Sequence, residues 1–165
     1  MLSVLTKKQC AECRQCCSFD SYDLWDTPLV TDEILLRALE LDPAQRFSEA
    51  SGRRLLVMEK EPDRDLYYCP LLDRETGCRL GDDKPFDCRI FPLKIMVLGG
   101  RLVITVSPVC PEAVKLPLEE LIAEAKRLSA RIFAEAQREP DIVRPYEKGY
   151  PILVVGDEIQ HIQGE

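Results

Sequence analysis

Eight cysteines are the residues of this 165-residue chain whose type and spacing point to chemistry. Four open the chain as CAECRQCC, and four follow singly in its middle. They are Cys10, Cys13, Cys16, Cys17, Cys69, Cys78, Cys88 and Cys110. A Cys-x2-Cys step lets two sulfurs converge on one metal centre, and the opening contains two such steps in succession. The pattern predicts metal binding, with all eight thiols as candidate ligands.

An even number of cysteines is equally typical of a disulfide framework, so the cellular compartment decides between the two interpretations. The apolar run from Met1 to Leu5 is too short for a secretion signal, because Lys7, Lys8 and the cysteines follow it at once. We therefore expect a cytoplasmic protein, in which thiols stay reduced and patterned cysteines are metal ligands or redox catalysts.

The spacing favours iron and sulfide over zinc. A tetrahedral zinc site is commonly built from two separated Cys-x2-Cys steps, whereas the later cysteines here are single. Ferredoxin-type ligation uses C-x2-C-x2-C and a distant cysteine followed by proline, a form found at both Cys69-Pro70 and Cys110-Pro111. The expected ligands of a 4Fe-4S cluster are one of these Cys-Pro thiolates and three from the opening: Cys10, Cys13 and either Cys16 or Cys17. Zinc is the alternative, because thiolate-rich sites accept both.

The adjacent pair Cys16 and Cys17 adds a geometric expectation. Side chains of neighbouring residues in extended backbone point to opposite sides, so the two sulfurs are not expected to reach one ion. Residues 10–17 then need thiolates from elsewhere to complete a site. We expect the loop from Cys69 to Pro92 to fold against them.

Local patterns predict the elements that position the cysteines. Residues 10–17 and 18–30 are expected to be irregular, and helices are predicted at 31–41, with Thr31 as N-cap, and at 117–139. A short third helix is expected from Asp42 to Gly52. Predicted strands lie at 54–59, 66–69 and 151–155, and 93–106 forms a hairpin that turns at Gly99-Gly100, with a further small hairpin turning at Gly156-Asp157.

These elements predict an α+β fold in one small domain, residues 1–165. Irregular cysteine-rich metal loops, within residues 10–113, are expected to pack on a short antiparallel sheet or hairpins and on a long C-terminal amphipathic helix. Residues 114–165 then form the scaffold helix and terminal strands.

Charge and hydropathy exclude two classes of partner. The net charge is −7 and no basic cluster offsets it, so nucleic acid is not expected to bind. No stretch approaches the roughly 20 apolar residues of a membrane helix. His161 is expected to be an ordinary terminal histidine, and aspartates such as Asp73 to lie in solvated turns. No acid–base pair stands out, so the sequence leaves enzymatic activity open.

The cysteine segments follow a recognisable order: CAECRQCC at 10–17, CPLLDRETGCRLGDDKPFDCRIFP at 69–92 and VCPEA at 109–113. This order resembles the YkgJ-like cysteine-cluster family, a zinc- or iron-chelating domain with eight cysteines, over roughly residues 10–113. The family's Pro-x-x-Cys-Arg-x-Phe-Pro segment matches residues 85–92, although Lys84 stands where an arginine commonly precedes it. The resemblance implies metal chelation, with an iron–sulfur cluster favoured because the related flagellin lysine N-methylases are regarded as cluster proteins. It implies no methylase activity here.

Three functions follow as hypotheses. The first is an iron–sulfur protein for electron transfer or redox sensing, with a redox or protein partner still to be identified. The second is a structural zinc-binding or metal-handling interaction module, in which metal contributes to folding. The third is a thiol oxidoreductase, which is disfavoured because its Cys-x2-Cys is expected at a strand-to-helix junction.

Overall fold

A computed structural model describes residues 7–19, 27–50 and 52–158, and for Lys7 and Cys10 it describes the backbone alone. The chain divides into two compact units, residues 3–89 and residues 90–165. Each unit combines helix with antiparallel strand pairs. The predicted α+β class is therefore confirmed, as is the long C-terminal helix.

The first unit consists of short elements joined by turns. A three-stranded sheet has the order β1-β5-β4, and two hairpins, β2-β3 and β6-β7, stand beside it. The elements are α1 (Lys7–Cys13), β1 (Ser18–Phe19), α2 (Asp32–Leu41), β2 (Phe47–Ala50), β3 (Arg53–Leu56), β4 (Glu59–Lys60), β5 (Tyr67–Tyr68), β6 (Leu72–Asp73), β7 (Gly77–Cys78) and α3 (Phe86–Ile90).

An apolar core holds this unit together. Its buried members come from β1, α2, β3 and the loops around them, and they are Phe19, Val30, Ile34, Ala38, Leu56, Met58, Leu71 and Leu80. Cys69 and Cys78 are partly buried and pack against the same cluster. Two of the predicted ligands are thus anchored to the core and not carried on free loops.

Helix α2 begins and ends as its sequence predicts. The side chain of Thr31 accepts a hydrogen bond from the Ile34 backbone N–H, with an N···O distance of 3.4 Å. Asp32 and Glu33 occupy the first turn, where the helix dipole favours acidic side chains. Ile34 and Ala38 face the core, so the cap and the apolar face together define the helix.

The helix predicted from Asp42 to Gly52 is wrong. The Asp42 carboxylate instead accepts a hydrogen bond from the Ala44 N–H at 2.9 Å and forms an Asx turn, and β2 follows. Gly52, at φ +72°, turns the chain so that β2 pairs with β3. The Asp-Pro signal suits a turn as well as a helix start. Packing of Phe47 against the core selects the strand.

The second unit is a four-stranded sheet covered by one long helix. The sheet order is β10-β8-β9-β11, and β10 runs parallel to β8 while the other pairs are antiparallel. The elements are β8 (Leu93–Leu98), β9 (Arg101–Val106), α4 (Leu118–Arg138), β10 (Arg144–Pro145) and β11 (Ile152–Glu158). Gly99 and Gly100 have φ of 56° and 75°, so the predicted hairpin turn is confirmed.

The predicted turn at Gly156-Asp157 is wrong, because both residues lie inside β11. A Cβ at Gly156 would lie 2.9 Å from the Phe133 ring of α4. Glycine is therefore required for the close approach of helix and strand, not for a reversal of the chain. The second arm of that predicted hairpin and His161 lie outside the described residues.

In the described part of the chain, no helix combines the length and the apolar composition that a membrane crossing requires.

Candidate metal centre

The opening cysteines lie on helical turns, so the irregular loop predicted at residues 10–17 is wrong. Cys10 and Cys13 belong to α1, which ends at Arg14 in a left-handed conformation with φ of 57°. The Arg14 Nε donates to the Ala11 carbonyl at 3.0 Å, and residues 15–17 then form a 3-10 turn. A Cys-x2-Cys step fits one helical turn as well as a loop, because residues i and i+3 share a helix face.

Cys16 and Cys17 do not point apart. Their sulfurs lie 3.9 Å from each other, so the expectation of opposed side chains is wrong. That expectation assumed extended backbone, whereas the two residues occupy the 3-10 turn. Cys16 is exposed and Cys17 is half-buried, so the pair reaches from the surface into the unit.

Strand pairing brings the second group of cysteines to this turn. Ser18 of β1 is opposite Tyr68 of β5, and the next backbone bond runs from the Cys69 N–H to the Cys17 carbonyl at 2.9 Å. The prediction that the loop beginning at Cys69 folds against residues 10–17 is therefore confirmed at this point of contact.

The β6-β7 hairpin presents Cys78. The Asp73 carboxylate accepts hydrogen bonds from the N–H groups of Glu75 and Thr76 and from the Thr76 hydroxyl, which fixes the turn and lowers the pKa of Asp73. Gly77 has φ of +89°, and a Cβ there would meet Ala11 of α1 at 3.6 Å. Helix α1 thus packs on the strand that carries Cys78.

Helix α3 carries Cys88, and arginines hold the segment before it. Arg79 donates to the Leu41 carbonyl at the end of α2, at 3.0 Å, and Arg37 of α2 pairs with Asp83 at 3.1 Å. The guanidinium of Arg89 stacks on Phe86, 5.5 Å from the ring centroid. Arg79 and Arg37 thus hold the segment between Cys78 and Cys88 against α2, whereas the Arg89–Phe86 contact lies within α3.

Burial keeps three of these thiols neutral. It raises the pKa of Cys69 to about 12 and raises the pKa values of Cys78 and Cys88. Negative charge on the other thiols acts in the same direction: Cys16 and Cys78 raise the pKa of Cys69, and Cys69, Cys16 and Cys78 raise that of Cys88. Cys16, Cys69, Cys78 and Cys88, from three segments, thus lie within electrostatic reach of one another. Cys69 and Cys88 also raise the pKa of Cys17.

The hydrogen bond between the two thiols of the adjacent pair shifts their pKa values in opposite directions. The hydrogen bond with Cys17 lowers the pKa of Cys16 to about 7, and the positive charge of Lys84 acts in the same direction. The hydrogen bond with Cys16 and then burial raise the pKa of Cys17. Lys84 also lowers the pKa of Cys78, although burial of that thiol outweighs it. In the sequence, Lys84 stands out only because it replaces an arginine. Its electrostatic effect on the thiols of Cys16 and Cys78 could not be predicted from the sequence.

Backbone N–H groups face several of the sulfurs. Those of Leu71 and Leu80 lower the pKa values of Cys69 and Cys78, respectively, by hydrogen bonding. In the second unit, the buried Cys110 accepts a hydrogen bond from the Ala113 N–H at 3.4 Å. Such donors stabilise thiolates and tune metal–thiolate centres.

The structure says less about the other two cysteines of the opening segment, Cys10 and Cys13. Cys13 is an exposed thiol at the end of α1, and the side chain of Cys10 lies outside the described residues. Seven cysteines have described side chains, and none of them forms a disulfide: Cys13, Cys16, Cys17, Cys69, Cys78, Cys88 and Cys110.

The distance between ligand sulfurs differs between a single zinc ion and a four-iron cluster. Among the described side chains, no three His, Cys, Asp or Glu residues are placed to hold one metal ion. A Zn–S bond of about 2.3 Å puts neighbouring sulfurs of a tetrahedral site about 3.8 Å apart. The sulfurs of Cys16 and Cys17, 3.9 Å apart, match that separation. A four-iron cluster binds each thiolate through a different iron, so its ligands are spread more widely. Within the described residues, the side chains therefore do not form a complete site for a single metal ion.

Comparison of the chain with protein-family models, with curated proteins and with solved structures finds no match. The resemblance to the YkgJ-like cysteine-cluster family therefore stays a prediction. The site is interpreted from its own residues.

Proposed function

We propose that this chain is a cytoplasmic iron–sulfur protein that transfers electrons or senses redox state. The observation that supports it is that five thiols of the first unit, Cys16, Cys17, Cys69, Cys78 and Cys88, lie within electrostatic reach of one another, with Cys69 hydrogen-bonded to the Cys17 backbone. They come from the 3-10 turn, the Cys69–Cys78 segment and α3. A concentration of free thiols from distant segments is typical of a thiolate-bound metal group.

Charge balance supports a bound metal group over an oxidoreductase. A thiol oxidoreductase needs one activated thiolate and one resolving thiol, whereas here Cys69, Cys78 and Cys88 are additional thiols with raised pKa values. Their ionisation is unfavourable unless positive charge arrives with the metal, and metal binding then displaces the thiol protons. The backbone N–H donors at Cys69 and Cys78 are already in place for the thiolate form.

These thiols supply the proposed ligands. We propose Cys69, Cys78, Cys88 and one of the pair Cys16 and Cys17 as the ligands, because these thiols influence one another electrostatically. Cys10, Cys13 and Cys110 remain candidate ligands from the sequence spacing. A bound 4Fe-4S cluster would supply electron exchange, and the chain's own residues would hold it, limit the access of water and balance its charge.

Purification without oxygen tests the proposal. We expect brown protein with broad visible absorption and about four iron and four sulfide per chain, as a 4Fe-4S cluster requires. Reduction with dithionite should bleach the visible absorption, and reoxidation should restore it. Colourless protein that carries stoichiometric zinc and no acid-labile sulfide would overturn the iron–sulfur assignment.

Zinc is the second candidate, supported by one distance. The 3.9 Å between the sulfurs of Cys16 and Cys17 matches one edge of a tetrahedral zinc–thiolate site. In that case the metal would stabilise the first unit, and the function would lie in an interaction with a protein partner. Cobalt substitution distinguishes the cases, because tetrahedral Co²⁺–thiolate is coloured and carries no sulfide.

A further inference from the structure

The adjacent cysteines Cys16 and Cys17 combine proximity with access. Their sulfurs are 3.9 Å apart, so a small movement would bring them to bonding distance. Cys16 is exposed, so a dissolved oxidant can reach it, whereas Cys17 is half-buried beneath it. Both are free thiols. An accessible thiol with a second thiol directly behind it is the arrangement that thiol–disulfide exchange requires.

We propose that Cys16 and Cys17 are a reversible oxidation site that closes into a vicinal disulfide with glutathione disulfide as the oxidant. We further propose that closure removes a ligand from the metal centre and releases the metal. The second part rests on the proposed function, because it requires that one of the two sulfurs is a ligand. The first part concerns the thiol pair alone.

The reaction balances in two exchange steps. The Cys16 sulfur attacks glutathione disulfide, a mixed disulfide forms at Cys16, and one glutathione leaves as its thiol. The Cys17 sulfur then attacks the Cys16 sulfur, the mixed disulfide breaks, and the second glutathione leaves. The protein loses two protons and two electrons from two thiols, and one glutathione disulfide becomes two glutathione molecules.

Backbone geometry predicts that the disulfide is easily reversed. Adjacent Cα atoms are about 3.8 Å apart across a trans peptide, whereas disulfide-bonded residues usually have Cα separations of about 4.4 to 6.8 Å. Closure therefore strains the 3-10 turn at residues 15–17. Strained and exposed disulfides are the readily reduced ones that serve regulation.

The strain would also reach the neighbouring ligand. The Cys17 carbonyl accepts the Cys69 N–H, so a rearranged turn disturbs the backbone bond that seats Cys69. Loss of the Cys16 or Cys17 sulfur and displacement of Cys69 act on the same centre. Oxidation of this one pair, begun at the exposed Cys16, would thus empty the site.

Peptide mapping of the full chain tests the proposal, because trypsin separates the two opening pairs. Peptide 15–37 contains Cys16 and Cys17 as its only cysteines, and peptide 9–14 contains Cys10 and Cys13. Anaerobically purified protein is treated with glutathione disulfide, free thiols are alkylated at time points, and released iron or zinc is measured in parallel. We expect peptide 15–37 to lose two hydrogens first, metal release to follow the same time course, and dithiothreitol to restore both thiols.

Other outcomes are decisive as well. Earlier oxidation of peptide 9–14, a cross-link between the two peptides, or lasting glutathione on Cys16 in the wild-type chain would overturn the vicinal disulfide. Disulfide closure with full retention of metal would overturn the release step but leave the proposed function standing. Protein without any metal would sink the proposed function, and the fate of peptide 15–37 would still test the oxidation site.

A variant separates the two exchange steps. Cys17→Ser keeps the exposed thiol but lacks the sulfur that completes the ring, so glutathione should accumulate on Cys16. Circular dichroism compares its folding with the wild type. If that variant is unfolded, the wild-type peptide time course alone decides the matter.

Discussion

The backbone N–H of Cys69 donates a hydrogen bond to the Cys17 carbonyl, with an N···O distance of 2.9 Å. This bond continues the antiparallel pairing of β1 with β5 and places two cysteines that are distant in sequence side by side. Because Cys69 also packs against the apolar core, the bond couples the candidate metal centre to the folding of the first unit. Changes at either partner should therefore alter metal content and stability together.

Replacement of Cys69 tests this coupling. Cys69→Ser should lose most of the bound metal and lower the melting temperature, because metal binding contributes to folding. Metal analysis and thermal unfolding measure the two effects. Tyr68→Phe is the matched control, since it removes a neighbouring hydroxyl but no sulfur, and its metal content should stay at the wild-type level. Wild-type metal content in Cys69→Ser would take Cys69 out of the site.

The raised pKa of Cys69 predicts how the metal-free chain responds to alkali. The thiol titrates near 9.0 when exposed and at about 12 in the folded unit, so the folded state holds its proton more tightly. Stability should be independent of this thiol below pH 9 and fall between pH 9 and 12, by at most about 1.4 kcal/mol per pH unit. Denaturant unfolding with chelator and reductant present measures it.

Other groups titrate in the same range, so a difference measurement is needed. Cys69→Ala removes the thiol, and its stability should decline less steeply above pH 9 than that of the wild type. Equal alkaline slopes in the two proteins would show that the folded environment does not hold the Cys69 proton.

Gly77 should control how α1 seats on the β6-β7 hairpin. A Cβ there lies 3.6 Å from that of Ala11, so the larger side chain of Gly77→Val should push α1 away and lower metal loading. Gly52→Val is the matched control, because Gly52 also has positive φ but open space around it. Both should lose about 1 to 2 kcal/mol from backbone strain. Only Gly77→Val should lower the metal-to-protein ratio. An equal loss of metal in both variants would contradict a role for the packing of α1 on the β6-β7 hairpin.

Gly156 should be intolerant of any side chain. In Gly156→Ala the new methyl would lie 2.9 Å from the Phe133 ring and 3.2 Å from the Leu102 carbonyl oxygen, so overpacking should destabilise the chain by about 1 to 3 kcal/mol. Denaturant unfolding measures the loss. Phe133→Leu in the same background should recover part of it, whereas exposed Asp157→Ala should change stability little. If the double variant recovers no stability, the loss in Gly156→Ala does not come from the contact with the Phe133 ring.

The sequence by itself determined the elements whose signals are local. Helix α2 follows from Thr31 and an apolar face. Helix α4 follows from apolar residues that repeat every three or four positions over a long stretch. The β8-β9 hairpin follows from Gly99-Gly100 between β-branched runs. Each of these signals acts within one helical turn or one tight turn, so neighbouring residues suffice to specify it. The eight cysteines were equally visible as candidates from their spacing.

Only the tertiary structure decided where the local signals were ambiguous. Asp42-Pro43 suits both a helix start and a turn, and packing of Phe47 on the core selected the strand. Gly156 suits both a turn and a close approach, and the Phe133 ring across from it selected the latter. In each case the deciding contact comes from outside the segment, which a local pattern does not contain.

The same reason governs the candidate site. The sequence placed the sulfurs of Cys16 and Cys17 apart because it offered no conformation for their backbone, and the 3-10 turn after Arg14 brought them to 3.9 Å. The sequence identified Cys69 and Cys88 as candidate ligands but did not show where their side chains lie. Their approach to Cys16 depends on strand pairing and burial between segments far apart in the chain, which form only when the apolar core closes.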